Sequence, residues 1–346
     1  YIMNNNLRLI VMNNIADLGN KIKSHLNNMN SNNEDYIVKI VNNRFSNGEG
    51  KVVIKGSVRE KDLYIISDVG NYNITYKLHG HDTCMSPDEH FQDIKRVISA
   101  TSGHAYRITV IMPLLYQSRQ HKRKGRESLD CALALQELER LGVNNIITVD
   151  THDPNIVNAI PNIAFDNFYP TNFILDDLFK EIEKDNLIVI SPDIGAMERA
   201  RYYADKLKCD VGLFYKRRDL TKVINGKNPI IEHAYMGSGV DGRIAIVVDD
   251  MISSGTSVLE VAKLLKERGT KKVYLIVSFA LFTEGIDAFV EAYQKEYFTK
   301  LFTTNLSFVP QEIKEKEWYH EVDLSILIAD IINTLNKSES LERFFQ

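Results

Sequence analysis

Cysteine is scarce in this chain: Cys84, Cys131 and Cys209 are the only three, scattered and without a CxxC spacing. That excludes a disulfide-stapled scaffold and a cysteine-held zinc, and it points to a reducing cytoplasm. Proline is sparse, with 8 residues in 346, and tryptophan occurs once, so neither a collagen-like fibre nor a disordered chain fits. No apolar run approaches the ~18–20 residues that a membrane-spanning helix needs. The stretch Tyr1–Leu9 carries Arg8 and three Asn where a secretory leader would be apolar, so no leader is expected. Charge of one sign is also lacking. Lys and Arg number 42 against 46 Asp and Glu, a net charge of −4, which argues against nucleic acid as the main partner.

What is present is ordinary for a globular protein, with 44% hydrophobic and 25% charged residues. At roughly 100–200 residues per domain the length allows two domains. The first fifty residues are crowded with Asn, which predicts a loop-rich start around one helix near Asn14–Asn28. Apolar, β-branched runs then recur at Ile37–Val41, Val52–Lys55, Leu63–Ser67, Ile108–Met112, Ile146–Val149, Leu187–Ile190, Val211–Phe214, Ile244–Val248 and Val273–Phe279. Helical periodicity lies between them. Glu127–Leu141 is expected to place Leu129, Leu133, Leu138 and Leu141 on one face; Ala196–Leu207 and Ser257–Arg268 read likewise. Buried strands alternating with helices predict an α/β fold of two similar doubly wound halves with mainly parallel sheets. The break is expected near Asp153–Asn172, giving domains 1–165 and 166–346, the last helix crossing between them. Ligands of such sheets bind beyond the carboxyl ends of the strands.

The sharpest element is Arg243-Ile-Ala-Ile-Val-Val-Asp249-Asp250-Met251-Ile252-Ser253-Ser254-Gly255-Thr256-Ser257, a strand end opening into a helix. Backbone N–H groups and the helix dipole make an anion site there, and the hydroxyls add donors. Two carboxylates beside a phosphate suit sugar hydroxyls or a hydrated magnesium ion. The plainer account, a helix with a Ser or Thr N-cap, leaves the paired acids unexplained. Three cations, Lys216-Arg217-Arg218, follow the strand Val211–Phe214 and could offset polyphosphate charge or form a solvated turn. His152, between Asp150 and Asp153, could bind metal or phosphate, or be structural. Arg119–Arg126 is the densest basic patch, and Asn47-Gly48 reads as a hairpin turn. His79-Gly80-His81 reads as a solvent loop, with a metal clip as the alternative.

Together these segments resemble the ribose-phosphate diphosphokinase (phosphoribosyl-diphosphate synthetase) family of the type I phosphoribosyltransferase fold. The family's D-D-M-I-D-T-G-G-T is matched at Asp249, Asp250, Met251, Ile252 and Gly255, with Ser253, Ser254, Thr256 and Ser257 as substitutions. Similar matches are its K-R-R at Lys216–Arg218, its V-D-L-H ending at His152, and its S-P-D-I-G-G at Ser191–Ala196. Its R-Q-D corresponds to Arg119, Gln120 and His121, and its R-F-S-D-G-E to Arg44–Glu49 with Asn47 for Asp. The resemblance runs from about Arg44 to the end, interrupted by an apparent insertion around Asn71–Pro87.

The resemblance implies transfer of a diphosphoryl group from ATP to the 1-hydroxyl of ribose 5-phosphate. Lys216 and Arg218 would be catalytic. Asp249 and Asp250 would hold the ribose, and Ser253, Ser254, Gly255, Thr256 and Ser257 its phosphate. Phe45, Asn47, Glu49, Arg119 and Gln120 would bind ATP, and His152 and Asp193 would serve its Mg2+. Segment Asp219–Asp241 resembles a mobile loop. A homo-oligomer, a hexamer built from dimers, is expected, with no nucleic-acid or membrane partner. Two rivals are a weakly active regulatory paralogue, motivated by the changes at 47, 121, 253 and 256, and a phosphoribosyltransferase acting on a nucleobase.

Overall fold

Runs such as Leu187-Ile-Val-Ile-Ser191 and Asp62-Leu-Tyr-Ile-Ile66 are buried at every position, which is possible only in strands covered on both faces. In this computed structural model, residues 6–182, 184–218 and 230–345 are described, with backbone alone at 216–218 and 230–233. The chain packs as two compact units. The first takes the chain up to Pro170, Asn305–Phe308 and the segment from Asp323 onward; the second takes Thr171–Thr304 and Val309–Val322. The break after Pro170 lies five residues from the expected 165/166, and the segment from Asp323 onward, with the last helix, belongs to the first unit.

In the first unit, β1 (Leu7–Val11) leads through α1 (Ala16–Asn30) to a hairpin of β2 (Ile40–Arg44) and β3 (Gly50–Ile54). There follow β4 (Asp62–Ile66), a second hairpin of β5 (Thr75–Leu78) and β6 (His81–Cys84), and α2 (Pro87–Ala100). Helix α2 starts where the sequence dictates. Ser86 and Glu89 form a reciprocal capping box and Pro87 occupies the first turn. Then come β7 (Arg107–Ile111), α3 (Asp130–Arg140), β8 (Asn145–Val149) and β9 (Ala164–Phe168). The main sheet has the order β1-β4-β7-β8-β9, parallel throughout.

The second unit holds α4 (Thr171–Leu178), β10 (Leu187–Ser191), α5 (Met197–Leu207), β11 (Asp210–Arg218) and β12 (Ile230–Met236). It continues with β13 (Ile244–Ile252), α6 (Thr256–Glu267), β14 (Lys272–Ala280), α7 (Asp287–Gln294), β15 (Lys300–Thr304), α8 (Gln311–Lys314) and β16 (Tyr319–Val322). Its sheet has the order β12-β11-β10-β13-β14-β15-β16, with β12 alone antiparallel. The order runs outward from β10 to β12, then reverses to β13. Its core is aromatic near α6: Phe289 stacks on the lone Trp318 at 5.7 Å, and Phe282 and Phe298 meet both rings edge-on.

Several sequence expectations shift. Lys216–Arg218 and Asp249–Ile252 do not follow their strands but continue them. Of the segment expected to be a mobile loop, Ile230–Met236 is strand, while 219–229 lies outside the described residues. Helix α3 buries Cys131, Ala134, Leu135 and Leu138, whereas Leu133 and Leu141 are exposed. A spacing of five residues turns Leu133 about 140° from Leu138, so the expected stripe was two faces. The apparent insertion around Asn71–Pro87 is ordered, and His79-Gly80 is an exposed turn in it. It is the β5–β6 hairpin, whose His79 and Gly80 take the positive φ values (49° and 84°) of a two-residue turn.

Helix α9 (Ser325–Asn336) returns to the first unit and packs on α1. Its end is held by a buried clamp. Arg107 donates twice to Asp62 (2.7 and 2.6 Å) and once to the Leu335 carbonyl (2.8 Å), while Asn336 donates to Asp62. Asp68, 1% exposed, holds Asn305–Phe308 in the same way, accepting from Ser307 Oγ (3.0 Å) and from the backbone N–H groups of Phe308 (2.8 Å) and Gly70 (2.9 Å). Burial pushes its carboxyl up to about 6 against those donors. The folded protein therefore holds an extra proton between the ordinary value of 3.8 and about 6, and stability from this group is lost as pH rises through that window. Relative to Asp68→Asn, the natural chain should lose on the order of 3 kcal/mol between pH ~4 and ~7, measured by urea unfolding.

Candidate active site

Where the order of an open parallel sheet reverses, the loops at the carboxyl ends of two neighbouring strands diverge and leave a crevice. In the second unit that point lies between β10 and β13, which pair in parallel with Ile190 level with Val247. The Ser191-Pro-Asp193 loop leaves on one side and Asp249–Ile252 on the other. On the far side of β10, Leu213 of β11 is level with Ser191, so the backbone of Lys216 stands three residues beyond that edge, paired with His233 of β12. Three adjacent strands thus carry Asp193, Lys216 and Asp249 to one edge of one sheet.

Each acid is built in by its backbone. Asp249 accepts the Asp250 N–H and Asp250 accepts the Met251 N–H, both at 2.9 Å. Asp250 is 4% exposed. Burial, and then the neighbouring charge of Asp250, push the Asp249 carboxyl well above its usual range, while Arg199 on α5 pulls it back. Asp193 is exposed; its Oδ1 accepts the Ala196 N–H (3.0 Å) and its carbonyl takes Ser191 Oγ (2.7 Å).

The turn into α6 depends on Gly255. Its φ is +76°, and a Cβ there would lie 2.2 Å from Phe289 Cζ. Gly255 is itself the N-cap, and no side chain caps the helix, contrary to a Ser or Thr cap. The Thr256 N–H donates to Ser254 Oγ (3.4 Å), and the N–H groups after it in the first turn are suited to an anion. Ser254 and Thr256 bond one another through their hydroxyls at 3.0 Å, and Ser253 and Ser257 are half-buried.

In the first unit, Arg119 and Gln120 are exposed in the loop after β7, and His152 is exposed after β8. Both loops hold strained backbone, Gln117 at φ +54° and, directly after β8, Asp150 at φ +44°. His121 joins them. Its side chain is 8% exposed, its Nδ1–H donates to the Ser118 carbonyl (3.1 Å), and its ring lies 5.3 Å from that of His152. Its Nε2 stands 3.1 Å from Asp153 Oδ2 but outside hydrogen-bond alignment, and has no hydrogen-bond partner. Burial holds the His121 imidazole below its ordinary range despite Asp153. Burial opposes charge on Asp153 too, but bonds from Asn155 and the charges of His121 and Lys122 hold its carboxyl low.

Phe45, Asn47 and Glu49 are exposed at the tip of the β2–β3 hairpin. Asn47 Oδ1 accepts the Glu49 N–H (3.1 Å), and Phe45 and Glu49 close the turn through their backbones. Beside the tip, both hairpins line a cleft of about 630 Å³ that includes Arg44, Phe45, Tyr76 and Lys77. Among the described residues no three His, Cys, Asp or Glu side chains form a metal cage, His79 and His81 included, and no helix could cross a membrane.

Residues 7–142 match the family model described as the N-terminal domain of ribose phosphate pyrophosphokinase, and residues 220–346 match the phosphoribosyl synthetase-associated domain. A ribose-phosphate pyrophosphokinase of Burkholderia pseudomallei is 32% identical over 250 residues, 71% of each chain. The chain belongs to the ribose-phosphate pyrophosphokinase family. The pyrophosphokinase of Mycoplasma genitalium is 29% identical over 316 residues, 89% of this chain and 88% of that one. The crystal structure of phosphoribosylpyrophosphate synthetase from Mycobacterium smegmatis superposes with a TM-score of 0.78 at 21% identity, covering 96% of this chain and 99% of that one; at that identity the likeness is one of fold.

Sequence reasoning gave no site role to three residues that shape this candidate site. Arg199 follows the Ser191–Ala196 segment and had a visible signal, a cation on the helix that the segment opens. Asp150 is strained, which no sequence reveals, and Phe289 lies 34 positions beyond the glycine it constrains. Gly255→Ala combines a left-handed backbone with overlap on the Phe289 ring, so it should destabilise the chain by about 2–4 kcal/mol in urea or thermal unfolding.

Proposed function

We propose that this chain transfers the diphosphoryl group of ATP to the 1-hydroxyl of ribose 5-phosphate, giving phosphoribosyl diphosphate and AMP. The observation that carries the reading is the convergence of Asp193, Lys216 and Asp249 on three adjacent strands at the reversal of the second sheet. A paired carboxylate beside uncapped helix N–H groups is suited to a phosphorylated sugar. Asp249 and Asp250 accept from the ribose hydroxyls, and the backbone of Ser253–Ser257 receives the 5-phosphate. Hydrogen bonds from those hydroxyls help offset the burial that otherwise raises Asp249.

The ribose 1-oxygen attacks the β-phosphorus, the bond to the α,β-bridging oxygen breaks, and that oxygen leaves with AMP. The protein supplies alignment and charge rather than a covalent nucleophile. Lys216 and Arg218, at the far end of β11, neutralise charge moving onto the bridging oxygen. Phe45, Asn47 and Glu49 take the nucleotide's base and sugar, from a neighbouring subunit of a homo-oligomer, to which the exposed hairpin tip is suited. Arg119 and Gln120 grip the nucleotide within their own chain.

His152 and Asp193 are the proposed donors to magnesium. Each is exposed, as a donor to a dication that keeps most of its waters would be. Bound with ATP, the ion supplies neutralisation of phosphate charge. AMP release from ATP should require ribose 5-phosphate; ribose 5-phosphate binding without AMP release would favour a regulatory paralogue. Lys216→Ala should raise the barrier by about 2–4 kcal/mol while leaving ATP binding largely intact, measured as kcat beside nucleotide affinity. Turnover within a few-fold of the natural chain would remove Lys216 from the mechanism.

A further inference from the structure

We propose that the β5–β6 hairpin is a buttress for the Phe45–Glu49 turn and, through that turn, sets the affinity of the chain for its nucleotide. This role rests on the contact proposed above between the turn and ATP. A two-stranded hairpin is marginal by itself in water, yet this one is pinned at its root, along its length and at its tip. At the root, His90 of α2 is 1% exposed; its Nδ1 accepts from Asn14 (3.0 Å) and its Nε2–H donates to the Asn71 carbonyl (2.7 Å). Asn71 in turn donates to the Asn14 carbonyl at 2.7 Å. Along β5, the Tyr76 hydroxyl donates to Glu89 Oε1 (2.5 Å), the same side chain that closes the capping box of α2. At the tip, the His79 N–H donates to the Ser46 carbonyl at 3.0 Å.

That last bond joins the two hairpins where it matters. The β2–β3 turn closes on itself with the carbonyls of Phe45 and Glu49, and the Ser46 carbonyl goes to the second hairpin. Leu78 adds packing: a Cβ placed on Gly48 would lie 3.2 Å from Leu78 Cδ1. Both hairpins also hang from one face of α2, because Glu89 and Asp93 are four residues apart. Glu89 holds β5, while the buried Asp93 accepts from Asn42 (2.7 Å) and Arg44 (2.8 Å) of β2. The Arg44 guanidinium then stands 5.8 Å from the centre of the Tyr76 ring, a cation over an aromatic face that ties the strands together. Phe45, 51% exposed, projects from a turn whose backbone is fixed in advance. A ring held that way loses little freedom when a nucleotide base meets it, and the saving appears as affinity.

The test uses the full chain with two variants, Leu78→Ala at the tip and Tyr76→Phe along the strand. Each should speed amide hydrogen exchange at Phe45 and Gly48 by about tenfold and weaken Mg-ATP binding, measured by calorimetry, by about three- to tenfold. Affinity for ribose 5-phosphate should stay within about twofold, since its proposed residues lie in the other unit. Leu78→Met, which keeps the volume, should restore both properties. Unchanged exchange at the turn, or faster exchange with unchanged ATP affinity, would overturn the buttress. So would a parallel loss of ribose 5-phosphate affinity, which marks general damage. Tyr76→Phe, lacking a single oxygen, decides the matter if Leu78→Ala fails to fold. Phe45→Ala separates the buttress from the contact beneath it. Weaker ATP binding in Phe45→Ala beside unchanged binding in Leu78→Ala removes the buttress alone. Unchanged binding in Phe45→Ala removes the turn's contact with ATP, and the buttress with it.

Discussion

The active edge rests on two adjacent acids at the end of β13, Asp249 half-buried and Asp250 buried. A carboxylate pair on a buried strand is unfavourable by itself, since desolvation and mutual repulsion both oppose charge. The fold meets that cost locally, with backbone N–H groups bonded to both carboxylates and Arg199 acting on Asp249. A sugar that donates hydroxyl protons relieves it further. The reversal of strand order between β10 and β13 opens the space in which such a ligand can lie, and the β11 extension brings cations to the same edge.

The glycine turn is the second half of this arrangement. Gly255 leaves the strand in a left-handed conformation because Phe289 occupies the volume a side chain would need, and Phe289 is fixed by Trp318. The aromatic core therefore shapes the anion site, and the helix that follows is left without a side-chain cap. The first unit uses different means, a strained exit from β8 and a buried histidine, to set Asp153 and His152 at its own carboxyl edge.

Much of this was legible in the sequence, because buried parallel strands are written as nearly unbroken apolar runs and because strand ends carry the unusual residues. The α/β class, the Asp249–Ser257 element and the cation run were found that way. Boundaries were less legible. Asp249 and Lys216 look like loop residues by polarity, yet backbone pairing with β14 and β12 keeps them in strands. The short strands β1 and β9 gave too little pattern, and the two-residue turn at His79-Gly80 lacks the Asn-Gly signature. The burial of His121 depends on Ser118 and Asp153 folding around it, and Arg107–Asp62 joins positions 45 apart. Such contacts exist only once the chain has folded.

A crystal structure of the chain with ribose 5-phosphate bound is the most direct test of the central claim. The account predicts the phosphate on the backbone N–H groups at the start of α6, with sugar hydroxyls donating to Asp249 and Asp250. A sugar phosphate seated elsewhere, with that carboxylate pair untouched, would contradict it.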